Sequence, residues 1–125
     1  ARTWCIANPL AKPAALKSDV DRLCGGDVDC SSIQSGGVCF APNTVADHAS
    51  VVYNIYYKSH QSQPSACSFG DNTLSTVSDP CKFPSLIIII IIYFISPRYK
   101  ILFLNIIHIL IHYIYFAAHG SCIFP

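Results

Sequence analysis

The sequence has 125 residues, of which 52% are hydrophobic and 12% are charged, and its formal net charge is +1. A chain of this length is expected to form one small domain. Residues 1–80 contain five Lys or Arg against seven Asp, so a basic surface for nucleic acid is not expected. The mean hydropathy of +0.42 arises mainly from residues 86–116, which hold 13 of the 17 isoleucines.

Two helices are predicted in the first 80 residues. The first covers Pro13–Cys24, because proline suits the first turn of a helix and Gly25 and Gly26 end it. The second runs from about Asn43, which is a good N-cap, to about His60. The apolar face of the first helix is expected to face the core and consists of Leu16, Val20, Leu23 and Cys24.

A helical projection of the second helix separates a core face from a flank. The predicted core face consists of Val45, Ala49, Val52 and Tyr56. Tyr53 and Tyr57 lie on the flank, towards the polar face that holds Asn54. Of the tyrosines in this helix, Tyr57 is therefore expected to be the most exposed.

A short β-hairpin is predicted over residues 66–79, which alternate weakly around a turn at Gly70–Asn72. The fold class that follows is α+β. Residues 1–80 are expected to form a small disulfide-stapled module of two helices with a short antiparallel β-sheet. An apolar, helix-prone insert follows the module.

Seven cysteines are present, and five of them lie in the first 80 residues. None forms a CxxC pair, so the pattern predicts a disulfide framework and an oxidising, secreted context. Spacing alone does not determine the pairs, and the odd number leaves one thiol over. His108 and His112 have helical spacing but no carboxylate nearby, so neither a metal nor another cofactor is expected.

Five motifs follow one another along the chain: Trp4–Cys5, Cys24–Ser31, Gly36–Thr44, His48–Ser50 and Tyr53–Tyr57. With the cysteines, they resemble the plant X8 domain, which is also called carbohydrate-binding module family 43. The resemblance extends over residues 4–80. Lys58 stands where the family usually has Gln, and Lys12 stands where a Ser or Asp often caps the first helix.

The resemblance implies three disulfides, which join the first cysteine to the fifth, the second to the third and the fourth to the sixth. On this chain the pairs are Cys5–Cys67, Cys24–Cys30 and Cys39–Cys122, and Cys81 remains an alternative partner for Cys39. The family occurs at the C-terminus of plant endo-1,3-β-glucanases and in plasmodesmata callose-binding proteins. The resemblance therefore implies β-1,3-glucan, such as callose, as the partner.

Residues 81–118 interrupt the resemblance, and residues 119–125 complete the terminal motif of the family. Of residues 86–116, 22 of 31 belong to types whose codons are rich in A and T. Cys81–Phe83 can be encoded by a splice donor and residues 116–118 by an acceptor, and joining the two restores a serine of the motif. We interpret residues 81–118 as a translated, retained intron or a gene-model error, and its removal leaves 88 residues with six cysteines.

A transmembrane helix is the alternative interpretation of residues 86–116. Pro97, Arg98 and Lys100 divide the segment into two apolar runs, each shorter than the roughly 20 residues that span a bilayer. Membrane association is expected only through this segment or through a separate anchor.

The sequence predicts binding without catalysis. It contains no Glu, whereas glycoside hydrolysis usually requires two carboxylates that flank the scissile bond. Aromatic rings stack on the C–H faces of sugars, and polar side chains bind the hydroxyl groups. The predicted glucan contacts are Tyr53, Asn54, Tyr57 and Trp4, and packing inside the module is the alternative for the aromatic three.

The expected location is extracellular, in the plant cell wall, at plasmodesmata or anchored at the plasma membrane. Two other functions remain open. The chain could be a fragment of an endo-1,3-β-glucanase whose catalytic domain is missing from this sequence, or a small membrane-anchored cysteine-rich ectodomain. A full-length transcript separates them, because the first predicts an upstream glycosidase domain and the second predicts an intact coding insert.

Overall fold

The computed structural model describes residues 2–81 and 122–125. Within them the regular elements are, in chain order, β1 (Trp4–Ala7), α1 (Pro13–Cys24), α2 (Val45–Ser59) and β2 (Thr73–Thr76). Short 3₁₀ turns lie at Ser31–Ile33, Pro64–Cys67 and Gly70–Asn72. The two strands pair antiparallel, and the α+β fold class is confirmed.

Both helices form where the sequence predicts them, with one correction at a terminus. The bounds of α1 agree with the prediction, and Leu16 and Leu23 are buried on its inner face. The N-cap of α2 is Thr44 and not Asn43, because the Thr44 side chain accepts a hydrogen bond from the backbone N–H of Asp47 at 3.1 Å. The hydroxyl satisfies one of the free donors at the first turn.

The predicted hairpin at residues 66–79 is wrong. Residues 73–76 do form a strand, but it pairs with residues 4–7, near the start of the sequence. Trp4 lies opposite Thr76 and Ala7 lies opposite Thr73. The preceding residues form 3₁₀ turns instead of a first hairpin strand. A strand of four residues has too little local pattern to identify a partner so distant in sequence.

The predicted orientation of α2 is also wrong in part. Ala49 and Val52 are buried as expected, but Val45 is exposed and Tyr56 is only half-buried. The helix packs against both β1 and α1, so residues well beyond a single apolar stripe become enclosed. The buried positions of α2 are Ala49, Val51, Val52, Tyr53, Asn54 and Tyr57.

Three disulfides join the module: Cys5–Cys67, Cys24–Cys30 and Cys39–Cys122. They are the same pairs that the family resemblance implies. The first ties β1 to the turn at Pro64–Cys67, and the third ties the loop before α2 to residues 122–125. Two of the three therefore connect segments more than 60 residues apart.

Cys81 is the free cysteine of the described residues and lies beside the third disulfide. Its thiol donates to the carbonyl oxygen of Cys122 at 3.3 Å, so the last residue of the first described range contacts the first residue of the second. Burial raises the pKa of the Cys81 thiol, which keeps this group neutral and weakly nucleophilic.

We expect a chain in which one serine replaces residues 81–118 to fold with all three disulfides. The replacement links Pro80 to Cys122 through four residues, and the contact between Cys81 and Cys122 places the two ends close together. Disulfide mapping by mass spectrometry and thermal unfolding, each compared with the full chain, measure the outcome. An unfolded product, or one with shuffled disulfides, would contradict this prediction.

The interpretation of residues 81–118 as a retained intron and that of residues 86–116 as a transmembrane helix concern, apart from Cys81, residues outside those that the structure describes. The same holds for the predicted boundaries at 118 and 119, and for His108 and His112. In the part of the chain that is described, no helix has the length and apolarity that a membrane crossing requires.

Candidate functional site

The four predicted glucan contacts lie inside the module. Tyr53 and Asn54 have 0% exposure, Tyr57 has 4% and Trp4 has 5%. The expectation that Tyr57 is the exposed tyrosine is therefore wrong, and Asn54 is not part of an open rim. A ring with covered faces has no surface for a sugar to stack on, so these four do not form the predicted stacking surface.

Asn54 and Ser50 of α2 satisfy the free edge of β1, and Tyr57 binds the residue before it. The Asn54 side-chain oxygen accepts from the backbone N–H of Cys5 at 3.1 Å, and the Ser50 hydroxyl accepts from that of Ala7 at 2.9 Å. One helical turn further on, the Tyr57 hydroxyl lies 2.6 Å from the Thr3 hydroxyl. The Asn54 and Ser50 side chains thus take the place of a third strand as acceptors for the N–H groups of β1.

Tyr53 is held by a carboxylate on the neighbouring helix. Its hydroxyl donates to Asp19 Oδ2 at 2.5 Å, and the Asn72 side-chain amide donates to the same oxygen at 2.9 Å. The other oxygen, Oδ1, accepts from Arg22 at 2.9 Å. Asp19 thus joins α1, α2 and the turn before β2 at one point.

Burial raises the pKa of the Tyr53 hydroxyl above its ordinary value of 10.0, and the adjacent Asp19 carboxylate raises it further. The folded state therefore favours the neutral phenol, so this stabilisation is complete below pH 10 and is lost as the pH rises above it. We expect the free energy of unfolding to fall above that pH and to fall less steeply in Tyr53→Phe. Urea denaturation across the alkaline range measures both slopes, and equal slopes would contradict the assignment to Tyr53.

Three half-buried rings form a continuous row on the surface, and we call Phe69, Tyr56 and His60 the aromatic row. The Tyr56 ring packs edge-on against Phe69, with 5.5 Å between the ring centroids. Its contact with His60 is tilted, with an interplanar angle of 31° and 4.1 Å between the centroids. The guanidinium carbon of Arg22 lies 5.8 Å from the Phe69 centroid. The buried Tyr53 ring supports the row from below, at 4.9 Å from Phe69.

The loop directly after His60 has an unusual backbone. Gln61 and Ser62 both have positive φ angles, 57° and 55°, although neither is glycine. Side chains other than glycine rarely adopt this left-handed region, and such residues concentrate at functional sites. The Gln61 and Gln63 side chains are exposed and supply amide donors and acceptors next to His60.

Two of the three residues of the row show a signal in the sequence. Tyr56 and His60 are four residues apart, so their rings must meet on one face of a helix. Tyr56 was assigned to the core because the helical projection assumes a single buried stripe. Phe69 carries no such signal, because its position depends on the turns between α2 and β2.

Two concave regions of the described residues lack an open aromatic face. One is a cavity of about 230 Å³ next to Phe124, which is 9% exposed, and the other is a cleft of about 520 Å³ next to Leu10 and Asn72. Over residues 2–81 and 122–125 no group of three or more His, Cys, Asp or Glu could hold a metal ion. The aromatic row is therefore the candidate site.

Comparison with known proteins identifies relatives of this chain. The family profile of the X8 domain matches residues 3–74. A glucan endo-1,3-beta-glucosidase of Triticum aestivum is 42% identical over 86 residues, which cover 66% of this chain and 18% of the wheat protein. Plasmodesmata callose-binding protein 5 of Arabidopsis thaliana is 38% identical over 87 residues, which cover 66% of this chain and 48% of that protein. The major pollen allergen Ole e 10 of Olea europaea is 38% identical over 89 residues, which cover 67% of this chain and 72% of the allergen.

The similarity is confined to one part of the larger relatives. The chain spans less than a fifth of the wheat glucosidase and about half of the callose-binding protein. It spans most of the allergen, and the profile match covers more than half of the chain itself. Together with the α+β architecture and the three disulfides, these matches lead to one conclusion: the chain belongs to the X8 domain family.

Proposed function

We propose that this chain binds β-1,3-glucan through the aromatic row and does not cleave it. The observation that carries the proposal is the row itself, since its half-exposed rings touch one another and extend from the C-terminal end of α2 to the turns that follow it. Successive sugar rings of a glucan chain present C–H faces that can stack along such a row. The similarity to a callose-binding protein supports this choice of polysaccharide.

Polar groups at the edge of the row would fix the orientation of the sugar. Arg22 lies against Phe69 at one end, and the exposed Gln61 and Gln63 amides lie beyond His60 at the other. Guanidinium and amide groups bind sugar hydroxyls, whereas the rings supply most of the contact area. This combination gives a shallow site suited to a chain and not to a single enclosed sugar.

The absence of catalysis follows from the carboxylates available. All seven acidic residues of the sequence are Asp. Asp19, which contacts the row's neighbours Arg22 and Tyr53, already accepts three hydrogen bonds. A hydrolase needs one carboxyl group that donates a proton and a second that attacks or activates water. We propose an extracellular location in the cell wall or at plasmodesmata, in keeping with the disulfides and with the names of the relatives.

In a pull-down on insoluble β-1,3-glucan, the full chain is expected to bind, and Tyr56→Ala and Phe69→Ala are each expected to weaken binding about tenfold. Loss of one stacked ring removes roughly 1.4 kcal/mol, which corresponds to that factor. Tyr56→Phe keeps the ring and is expected to bind nearly as well as the unaltered chain. Val77→Ala, at an exposed apolar position outside the row, is the control.

Two outcomes would contradict the proposal in different ways. Equal binding by Tyr56→Ala, Phe69→Ala and Val77→Ala would remove the site but leave the function. No binding by the unaltered chain, with its three disulfides verified, would remove the function.

A second candidate function is an accessory module of an endo-1,3-β-glucosidase. The similarity to the wheat enzyme favours it, because the matched region covers only 18% of that protein. Glucan binding by the module is the same in both cases. A full-length transcript that encodes a glycosidase domain ahead of residue 1 would select this alternative.

A further inference from the structure

We propose that a second surface, formed by Arg2 and Lys58 around Trp4, binds the carboxylate groups of an acidic polysaccharide. The Arg2 guanidinium carbon lies 5.5 Å from the centroid of the Trp4 ring, and the Lys58 ammonium nitrogen lies 5.7 Å from it. We call these three residues the cationic platform. It goes beyond the proposed binding of neutral glucan, and it takes from that proposal only the choice of a saccharide as the bearer of the carboxylate.

The two cations are held in place before any ligand arrives. Both lie within the distance at which the quadrupole of an indole ring attracts a positive charge. Lys58 also lies 5.6 Å from the Tyr57 ring, and the hydroxyl of Tyr57 is fixed by Thr3. Side chains that are already ordered lose less entropy on binding than free surface lysines and arginines do.

The charges on the cationic platform are free to act on a ligand. In the described part of the chain, the ion pairs join Lys17 to Asp21 and Arg22 to Asp19. Neither Arg2 nor Lys58 has a carboxylate partner among the residues that the structure describes. A bound carboxylate would therefore make charge-assisted hydrogen bonds without displacing an existing pair.

The Trp4 indole N–H lacks a hydrogen-bond acceptor among the described residues, although this donor is buried. A buried donor without a partner lowers stability, and native structures rarely leave a buried donor without a hydrogen bond. The ring that supports Arg2 and Lys58 therefore has a polar edge that the described residues leave unsatisfied.

The size of the cationic platform favours an acidic polysaccharide over a nucleic acid. Two cations neutralise far fewer charges than the roughly six to ten phosphate contacts of a typical DNA-binding protein. Residues 1–80 carry a net charge of −2, which repels a polyanion of high charge density. A short uronate oligomer carries one carboxylate on each sugar ring and a small total charge, which matches a pair of cations on one aromatic support.

The test uses Trp4 as its own reporter, because it is the sole tryptophan of the sequence. Titration of the full chain with a short oligogalacturonate is expected to give a saturable change in tryptophan fluorescence. Lys58→Gln is expected to weaken the affinity about tenfold, since one charge-assisted contact is lost. Lys12→Gln, which removes an equal charge at the start of α1, is expected to match the unaltered chain.

The proposal would be overturned if the fluorescence of the unaltered chain did not change, or if the methyl-esterified oligosaccharide gave the same response as the acid. It would also be overturned if Lys12→Gln lost as much affinity as Lys58→Gln, or if the affinity did not fall with added salt. Poly-glutamate that binds as tightly as the uronate would overturn the choice of a saccharide. The test is independent of the glucan site, because Tyr56→Ala is expected to weaken glucan binding and to keep the oligogalacturonate response.

Discussion

Replacing both Cys5 and Cys67 with serine is expected to lower the free energy of unfolding by about 4 kcal/mol. The disulfide closes a loop of 62 residues, and the entropy that it removes from the unfolded chain has this magnitude. It also joins β1 to the turn at Pro64–Cys67, which comes before β2 in the chain. The sheet of the described residues consists of β1 and β2. A module of this size has few kcal/mol to lose, so we expect the variant to be largely unfolded at 37 °C.

The matched control is the double serine variant of Cys24 and Cys30. That disulfide spans a separation of only 6 residues, and the same relation predicts a loss of about 2 kcal/mol. Guanidinium denaturation of both variants and of the unaltered chain measures the two losses. Equal losses would mean that loop length does not determine the effect, and a folded Cys5/Cys67 variant would contradict the prediction outright.

Local signals in the sequence predicted the local structure well. The limits of α1 follow from Pro13, the apolar spacing and the glycine pair after Cys24, and all of these act within a few residues. The disulfide pairs required more, because spacing leaves the partners open and only the family resemblance implied them. The sequence left Cys81 and Cys122 open as partners of Cys39, because the insert separates them within the terminal motif of the family.

Structure that depends on distant contacts was predicted poorly. The pairing of residues 4–7 with residues 73–76 has no local trace, so a hairpin was the nearest pattern available. The same limit applies to α2, where a single apolar stripe was assumed although the helix packs against both β1 and α1. Asn54 shows the consequence, because a polar residue that appears suited to a ligand completes the edge of a strand instead.

The candidate site was displaced for the same reason. The sequence pointed to a helix rich in tyrosines, but the enclosed rings are Tyr53 and Tyr57, and the half-exposed one is Tyr56. Phe69 and His60 complete the row only because the chain turns back after α2. An aromatic residue in a binding module therefore needs its packing partners known before it is assigned to the ligand.

Asp19→Ala is expected to lower the free energy of unfolding by about 3 kcal/mol. The carboxylate accepts hydrogen bonds from Tyr53, Asn72 and Arg22, and its side chain is only 14% exposed. Its removal leaves the enclosed Tyr53 hydroxyl without a partner, and bonds to charged groups are worth more than neutral ones. Urea denaturation at neutral pH measures the loss.

Asp21→Ala is the matched control, since Asp21 lies two residues away on the same helix. Its carboxylate forms an exposed ion pair with Lys17 at 2.9 Å, with side chains about two thirds exposed, and such a pair contributes no more than about 1 kcal/mol. Comparable losses in the two variants would show that Asp19 does not anchor Tyr53. If Asp19 does anchor it, Asp19→Ala also releases Arg22 and the ring of Tyr53 beneath Phe69, so glucan binding should weaken at temperatures where the variant is still folded. A variant that is less stable yet binds glucan unchanged would separate the stability of the module from the geometry of the aromatic row.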